Sequence, residues 1–151
     1  MRGDLTRLLC IDTSVWIPYL VPEVYQLQAR TLLTEALSLN LRLVSPAFAW
    51  AEVGSVLRKK TRLGVITTEE AQGFFEDFCE LPIDYIEEEV IRTRTWEIAE
   101  QYGLSTLYDA AFLACAEITS AEFWTADAAL VRQLTPRPVY LREIGEMNVV
   151  I

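Results

Sequence analysis

The 151 residues contain no histidine. That absence removes Ser-His-Asp hydrolysis, Cys-His proteolysis, imidazole general-base chemistry and ordinary zinc catalysis. Cysteine is scarce: Cys10, Cys79 and Cys115 are far apart and odd in number. They exclude a disulfide framework and suit a reducing cytosol. No apolar run reaches the ~18–20 residues of a membrane span. Met1–Asp12 carries Asp4 and Asp12 without the apolar stretch of a secretory signal. A cytoplasmic protein with no membrane association is expected. No repeat, low-complexity run or Gly/Ser/Pro linker interrupts the chain, so one domain over residues 1–151 is expected. Bases are also few, 13 against 22 acids, for a formal charge of −9. That is a poor balance for a nucleic-acid binder at face value. With soft ligands so scarce, a bound metal would be a hard, oxygen-loving cation such as Mg²⁺ or Mn²⁺.

What is present is a globular core. Hydrophobic residues make up 52% of the chain, and the mean hydropathy of +0.20 excludes a disordered polymer. Leu8-Leu9-Cys10-Ile11 reads as a strand buried on both faces. Glu23–Asn40 has helical spacing at Leu27, Leu32/Leu33 and Ala36/Leu37. Leu41–Val44 is a second strand. Ser45-Pro46 resembles an N-cap with proline at the first helical position, opening a helix through Glu52 to about Arg62 that stops at Gly64. Thr67-Thr68-Glu69-Glu70 has capping-box spacing, and Ala71, Phe74, Phe75 and Phe78 form the apolar face that follows. Ile83–Ile86 is a strand, Glu87–Tyr102 a helix ended by Gly103, and Ser105 a cap for a helix over Thr106–Ile118. Glu122–Thr125 reads as a strand, Asp127–Leu134 as a short helix and Pro138–Leu141 as a last strand. This alternation predicts a three-layer α/β/α sandwich with a mostly parallel sheet.

Four acids interrupt apolar surroundings. Asp12 follows the first strand, Glu52 lies in Ala49-Trp50-Ala51-Glu52-Val53, Asp109 in Tyr108-Asp109-Ala110-Ala111, and Asp127 in Trp124-Thr125-Ala126-Asp127. Charges in such settings are costly unless paired or metal-bound, and no Lys or Arg adjoins them. Parallel sheets take ligands at the carboxyl ends of their strands, which is where Asp12 and Asp127 fall. If all four converge, they repel one another and raise each other's pKa, and a divalent cation relieves the repulsion. A histidine-free carboxylate cluster of this kind suits metal-assisted phosphodiester hydrolysis.

At these residues the chain resembles PIN-domain nucleases, and among them the VapC-type toxins of toxin–antitoxin pairs. The matching features are the strand with Asp12-Thr13-Ser14, Glu52 in an Ala-rich helix, Tyr108-Asp109-Ala110, and Thr125-Ala126-Asp127 after a strand. They occur in the family's order over nearly the whole chain. The resemblance implies a PIN-like fold and metal-dependent endoribonuclease activity. It also implies Asp12, Glu52, Asp109 and Asp127 as catalytic ligands of Mg²⁺ or Mn²⁺. Thr13, Ser14 and Thr125 would orient those acids or the water. An RNA substrate, a cognate antitoxin and a homodimer are the implied partners.

Arg58-Lys59-Lys60-Thr61-Arg62 is the strongest basic run. Glu52, Val56 and Lys59/Lys60 share helical spacing, so Arg58, Lys59, Lys60 and Arg62 are the candidate RNA contacts; the plain alternative is a solvated helix end with favourable cations. Arg92 and Arg94 form a looser second candidate. Trp16, Trp50, Trp96 and Trp124 read as packing residues, Cys10 and Cys115 as inert buried thiols. Phe74, Phe75 and Phe78 read as core, with a share of partner interface as the alternative. Two other functions compete: a PIN-like RNA- or protein-binding module without cleavage, and a haloacid-dehalogenase-like phosphatase. The latter needs a second Asp where Ser14 stands and a lysine near the later acids.

Overall fold

Leu9, Cys10 and Ile11 are at most 1% exposed, and they divide between two cores. Leu9 and Ile11 face one cluster, with Trp16, Leu33, Val53 and Phe78. Cys10 faces the other, with Val44, Phe112, Leu113 and Phe123. A strand whose alternate residues both meet apolar layers must be apolar throughout. This explains the uninterrupted run and the three layers together.

The computed structural model describes residues 7–149; the start of the segment read above as lacking a signal lies outside them. Five strands form the sheet: β1 (Leu8–Ile11), β2 (Arg42–Pro46), β3 (Ile83–Ile86), β4 (Glu122–Thr125) and β5 (Leu141–Glu143). Their order is β3-β2-β1-β4-β5, and every pairing is parallel, with Cys10 opposite Val44 on one side and Phe123 on the other. The helices are α1 (Thr13–Leu20), α2 (Gln26–Ser38), α3 (Ala49–Arg62), α4 (Thr68–Cys79), α5 (Glu89–Tyr102), α6 (Leu107–Thr119) and α7 (Ala128–Gln133). A 3₁₀ turn follows at Ile144–Glu146. The expected α/β sandwich is the observed one.

Local chemistry accounts for several element ends. Thr67 and Glu70 form the reciprocal capping box, with Glu70 N–H donating to Thr67 Oγ1 at 3.0 Å and Thr67 N–H to Glu70 Oε1 at 2.8 Å. Gly103 closes α5 at φ +66°, a conformation that only glycine adopts without strain.

Other expectations are corrected. Helix α1 was not anticipated, because Pro18 sits inside it and proline costs a helix one backbone hydrogen bond. Burial of Val15, Trp16, Ile17 and Leu20 outweighs that cost. Ser45 and Pro46 end β2 instead of opening a helix, which starts at Ala49. Thr106, not Ser105, is the N-cap of α6. The last strand begins at Leu141. Trp16 and Trp124 are packing residues, but Trp50 and Trp96 are 50% and 61% exposed. Phe78 is fully buried, while Phe74 and Phe75 pack at the margin of the core. Cys10 and Cys115 are buried as expected.

Candidate active site

The strand order reverses direction at β1. From β1 the chain steps outward through β2 and β3, then returns to the other side of β1 as β4 and β5. The carboxyl ends of β1 and β4 therefore flank the point where the winding reverses, the place where doubly wound sheets hold ligands. Asp12 follows β1 directly, and its N–H extends the ladder by donating to Trp124 O at 2.9 Å. Asp127 lies just beyond β4. Glu52 and Asp109 occupy the first turns of α3 and α6.

A hydroxyl frame ties the two strand ends together. Ser14 Oγ and Thr125 Oγ1 both donate to Asp12 Oδ2, at 2.8 and 2.9 Å. Each hydroxyl has one proton, so the 3.2 Å between them is a contact rather than a further bond. Both oxygens accept from the loop after β4: Ala126 N–H donates to Ser14 Oγ at 2.8 Å and Asp127 N–H to Thr125 Oγ1 at 3.1 Å. Backbone dipoles are thus relayed through two hydroxyls onto one carboxylate oxygen. Thr13 Oγ1 donates to Glu52 Oε1 at 2.5 Å, which fixes α3 against the start of α1. Asp127 caps α7, accepting from Leu130 N–H at 3.0 Å.

The electrostatics link all four acids. Burial pushes the Asp12 carboxyl up to about 7, with the charges of Asp109 and Glu52 adding to the rise and the Ser14 and Thr125 hydroxyls opposing it. Burial also raises Asp109, and the charges of Asp127 and Glu52 raise it further. Asp109 and Glu52 are thus felt by Asp12, and Asp127 and Glu52 by Asp109. Among the described residues, none of the four is ion-paired with Lys or Arg. Nor do three Asp, Glu or Cys side chains stand close enough together to hold one ion as they are. Glu52 is held by Thr13 and Asp127 by its cap, and like charges keep apart. The donor chemistry, all oxygen and uncompensated in charge, fits a hard divalent cation.

The basic run is divided by the helix it lies on. Lys60 shares a cleft with Thr13, Ser14 and Val56 and pairs with Glu23 at 2.9 Å. Arg58 and Arg62 instead line a separate groove between α3 and α4, with Trp50 and Phe75. Lys59 is exposed in the last turn of α3. The structure thus sets Lys60 in the cleft lined by Thr13 and Ser14, and Arg58 and Arg62 in a separate groove. Arg92 pairs with Glu87, and Arg94 with Glu97 and Glu117. Sequence reasoning missed Glu23 and Tyr25, which line the same cleft as Lys60. No spacing rule links them to Asp12, and only the unanticipated α1 brings their loop there.

The cap permits a clean test. Both Asp127→Asn and Asp127→Ala remove the charge, but only asparagine can still accept from Leu130 N–H. Urea unfolding is expected to find the asparagine variant more stable by about 1 kcal/mol. Equal stabilities would mean the cap contributes nothing.

A parallel sheet wound outward in both directions from β1, with helices on both faces, defines a doubly wound α/β protein, and acids follow the two strands at its switch point. The PIN domain family matches residues 9–133, and the chain belongs to that family. PAE2754 from Pyrobaculum aerophilum is similar in structure, with a TM-score of 0.65 at 20% identity, covering 92% of this chain and 90% of that one. VapBC2 from Rickettsia felis, solved bound to a DNA fragment from their promoter, has a TM-score of 0.66 at 15% identity, covering 90% and 98%. At such identities the likeness concerns the fold alone. No curated protein matches the sequence.

Proposed function

We propose that the chain, as one PIN domain over residues 1–151, is a metal-dependent endoribonuclease and the toxin of a toxin–antitoxin pair. Asp12, Glu52, Asp109 and Asp127 would hold Mg²⁺ or Mn²⁺. What supports this reading is the raised carboxyl of Asp12, which feels the charges of Asp109 and Glu52, and that of Asp109, which feels Asp127 and Glu52, with Asp12 and Asp127 beside the ends of β1 and β4 and no Lys or Arg paired to any of the four among the described residues. PIN domains are in general nucleases, and the fold likeness to VapBC2 supports the toxin assignment. A cation held by these four acids would supply water activation and charge stabilisation at a phosphoryl oxygen.

The chain's own residues supply the rest. Ser14 and Thr125 hold Asp12 Oδ2 in one orientation, so this ligand loses little freedom on use. Thr13 does the same for Glu52. The apolar walls around Asp12 keep bulk water from screening its charge. An RNA strand, a cognate antitoxin and a second copy of the chain are the partners this reading implies, and the cytoplasm is the location. Among the described residues no helix is long and apolar enough to cross a membrane.

The test is incubation of purified protein with single-stranded RNA, with Mn²⁺ or Mg²⁺ and with chelator. Internal cleavage that requires the cation is expected. RNA binding without any cleavage would favour the binding-module alternative. Release of phosphate from small phosphomonoesters instead would favour the phosphatase.

A further inference from the structure

The cleft beside the hydroxyl frame has a built character of its own. Its volume is about 440 Å³, within the ~300–1,000 Å³ range of small-ligand sites. Thr13, Ser14 and Ala126 line it, and Ser14 also binds Asp12. Tyr25 also lines it, and its backbone is left-handed at φ +74°. A tyrosine in that region costs roughly 1–2 kcal/mol, so its ring is set there against a local penalty. The hydroxyl end of the ring rests on the 3₁₀ turn, where a Cβ on Gly145 would come 3.1 Å from Tyr25 Oη. Tyr25 remains 37% exposed. Lys60 reaches the same cleft and is paired with Glu23, its side chain 22% exposed and that of Glu23 34%. An aromatic ring and a lysine beside a carboxylate site are the two elements that grip single-stranded nucleic acid, one for a base and one for a phosphate. The carboxylate of Glu23, facing the same space, opposes a phosphate and competes for the lysine.

Building on the nuclease reading above, we propose that this cleft binds the nucleotide adjoining the cleaved phosphodiester of a single-stranded RNA. Tyr25 stacks on its base and Lys60 contacts its phosphate. Glu23 holds Lys60 against the wall and limits the affinity, so the ion pair is a brake on substrate binding. A weakly bound strand is released soon after cleavage, which suits an enzyme that must turn over.

The experiment measures binding of a fluorescent single-stranded oligoribonucleotide by anisotropy, without divalent cation, across a salt series. Glu23→Gln is expected to tighten binding about fivefold, a gain that no misfolded protein gives. Lys60→Met is expected to weaken it about tenfold and to flatten the log–log salt slope by about 0.7, the value of one single-strand phosphate contact. The double variant should behave like Lys60→Met, because the brake acts only through the lysine. Tyr25→Asn, which tolerates the left-handed backbone, is expected to weaken binding at least fivefold with the salt slope retained. If these variants bind as the wild type does while the wild type still cleaves RNA, the subsite is wrong and the nuclease reading stands. If the wild type neither binds nor cleaves RNA, both fall.

Discussion

Asp109→Asn is expected to lower cation-dependent RNA cleavage on the order of a thousandfold or more while raising the melting temperature. The two effects have one cause. Asp109 is half-buried and its carboxyl is raised by burial, then by the charges of Asp127 and Glu52. As the native protein ionises, it bears a repulsion that the amide removes, so the fold gains. The same substitution withdraws an anionic oxygen from the proposed metal site and weakens the charge stabilisation of the transition state. A variant that loses activity by unfolding moves both readouts down; here they move in opposite directions. Ser14→Ala and Thr125→Val act one step further out, through Asp12 Oδ2, and are expected to cost roughly 10–100-fold. If Asp109→Asn keeps wild-type cleavage, Asp109 is not a ligand.

Stability against pH carries the second large effect. The Asp12 carboxyl has an ordinary value of 3.8 and is raised to about 7 in the fold. Below pH 3.8 both folded and unfolded chains hold its proton. Between 3.8 and 7 the unfolded chain has lost the proton and the native one retains it, so this group makes stability fall as pH rises. Three units correspond to roughly 4 kcal/mol at most. Above pH 7 the native carboxyl is ionised too, and the loss levels off. Asp12→Asn keeps an acceptor for Ser14 and Thr125 and has no charge to bury. Its advantage over the wild type is therefore expected to be small at pH 4, to grow up to pH 7 and to stay constant beyond. Urea unfolding at pH 4, 5.5, 7 and 8.5 measures it; a difference independent of pH would mean Asp12 ionises freely.

Much of this was legible in the sequence because it is local. The run Leu8–Ile11 is continuous because alternate residues meet different cores, and Glu122–Thr125 is bounded as read. Thr67/Glu70 and Gly103 are capping signals that depend on a few neighbouring residues only. Long-range packing was not legible. Helix α1 exists because Trp16 and Ile17 are buried, which overrides Pro18. The basic run looked like one patch, but helical geometry sends Lys60 to one side of α3 and Arg58 and Arg62 to another. The four acids were conspicuous as isolated charges in apolar contexts. Their shared location needed the strand order, because neighbouring β1 and β4 are separated by most of the chain. The Lys60–Glu23 pair had no sequence signal at all.

The most direct measurement is a Mn²⁺ titration followed by electron paramagnetic resonance of the free ion, run at pH 7.5 on the wild type and on the chain carrying Asp12→Asn, Glu52→Gln, Asp109→Asn and Asp127→Asn together. The wild type should withdraw Mn²⁺ from solution and melt at a higher temperature with the ion than without it, and the fourfold variant should do neither. Equal uptake by both proteins would locate the cation somewhere other than the end of β1 and β4 and would contradict the account.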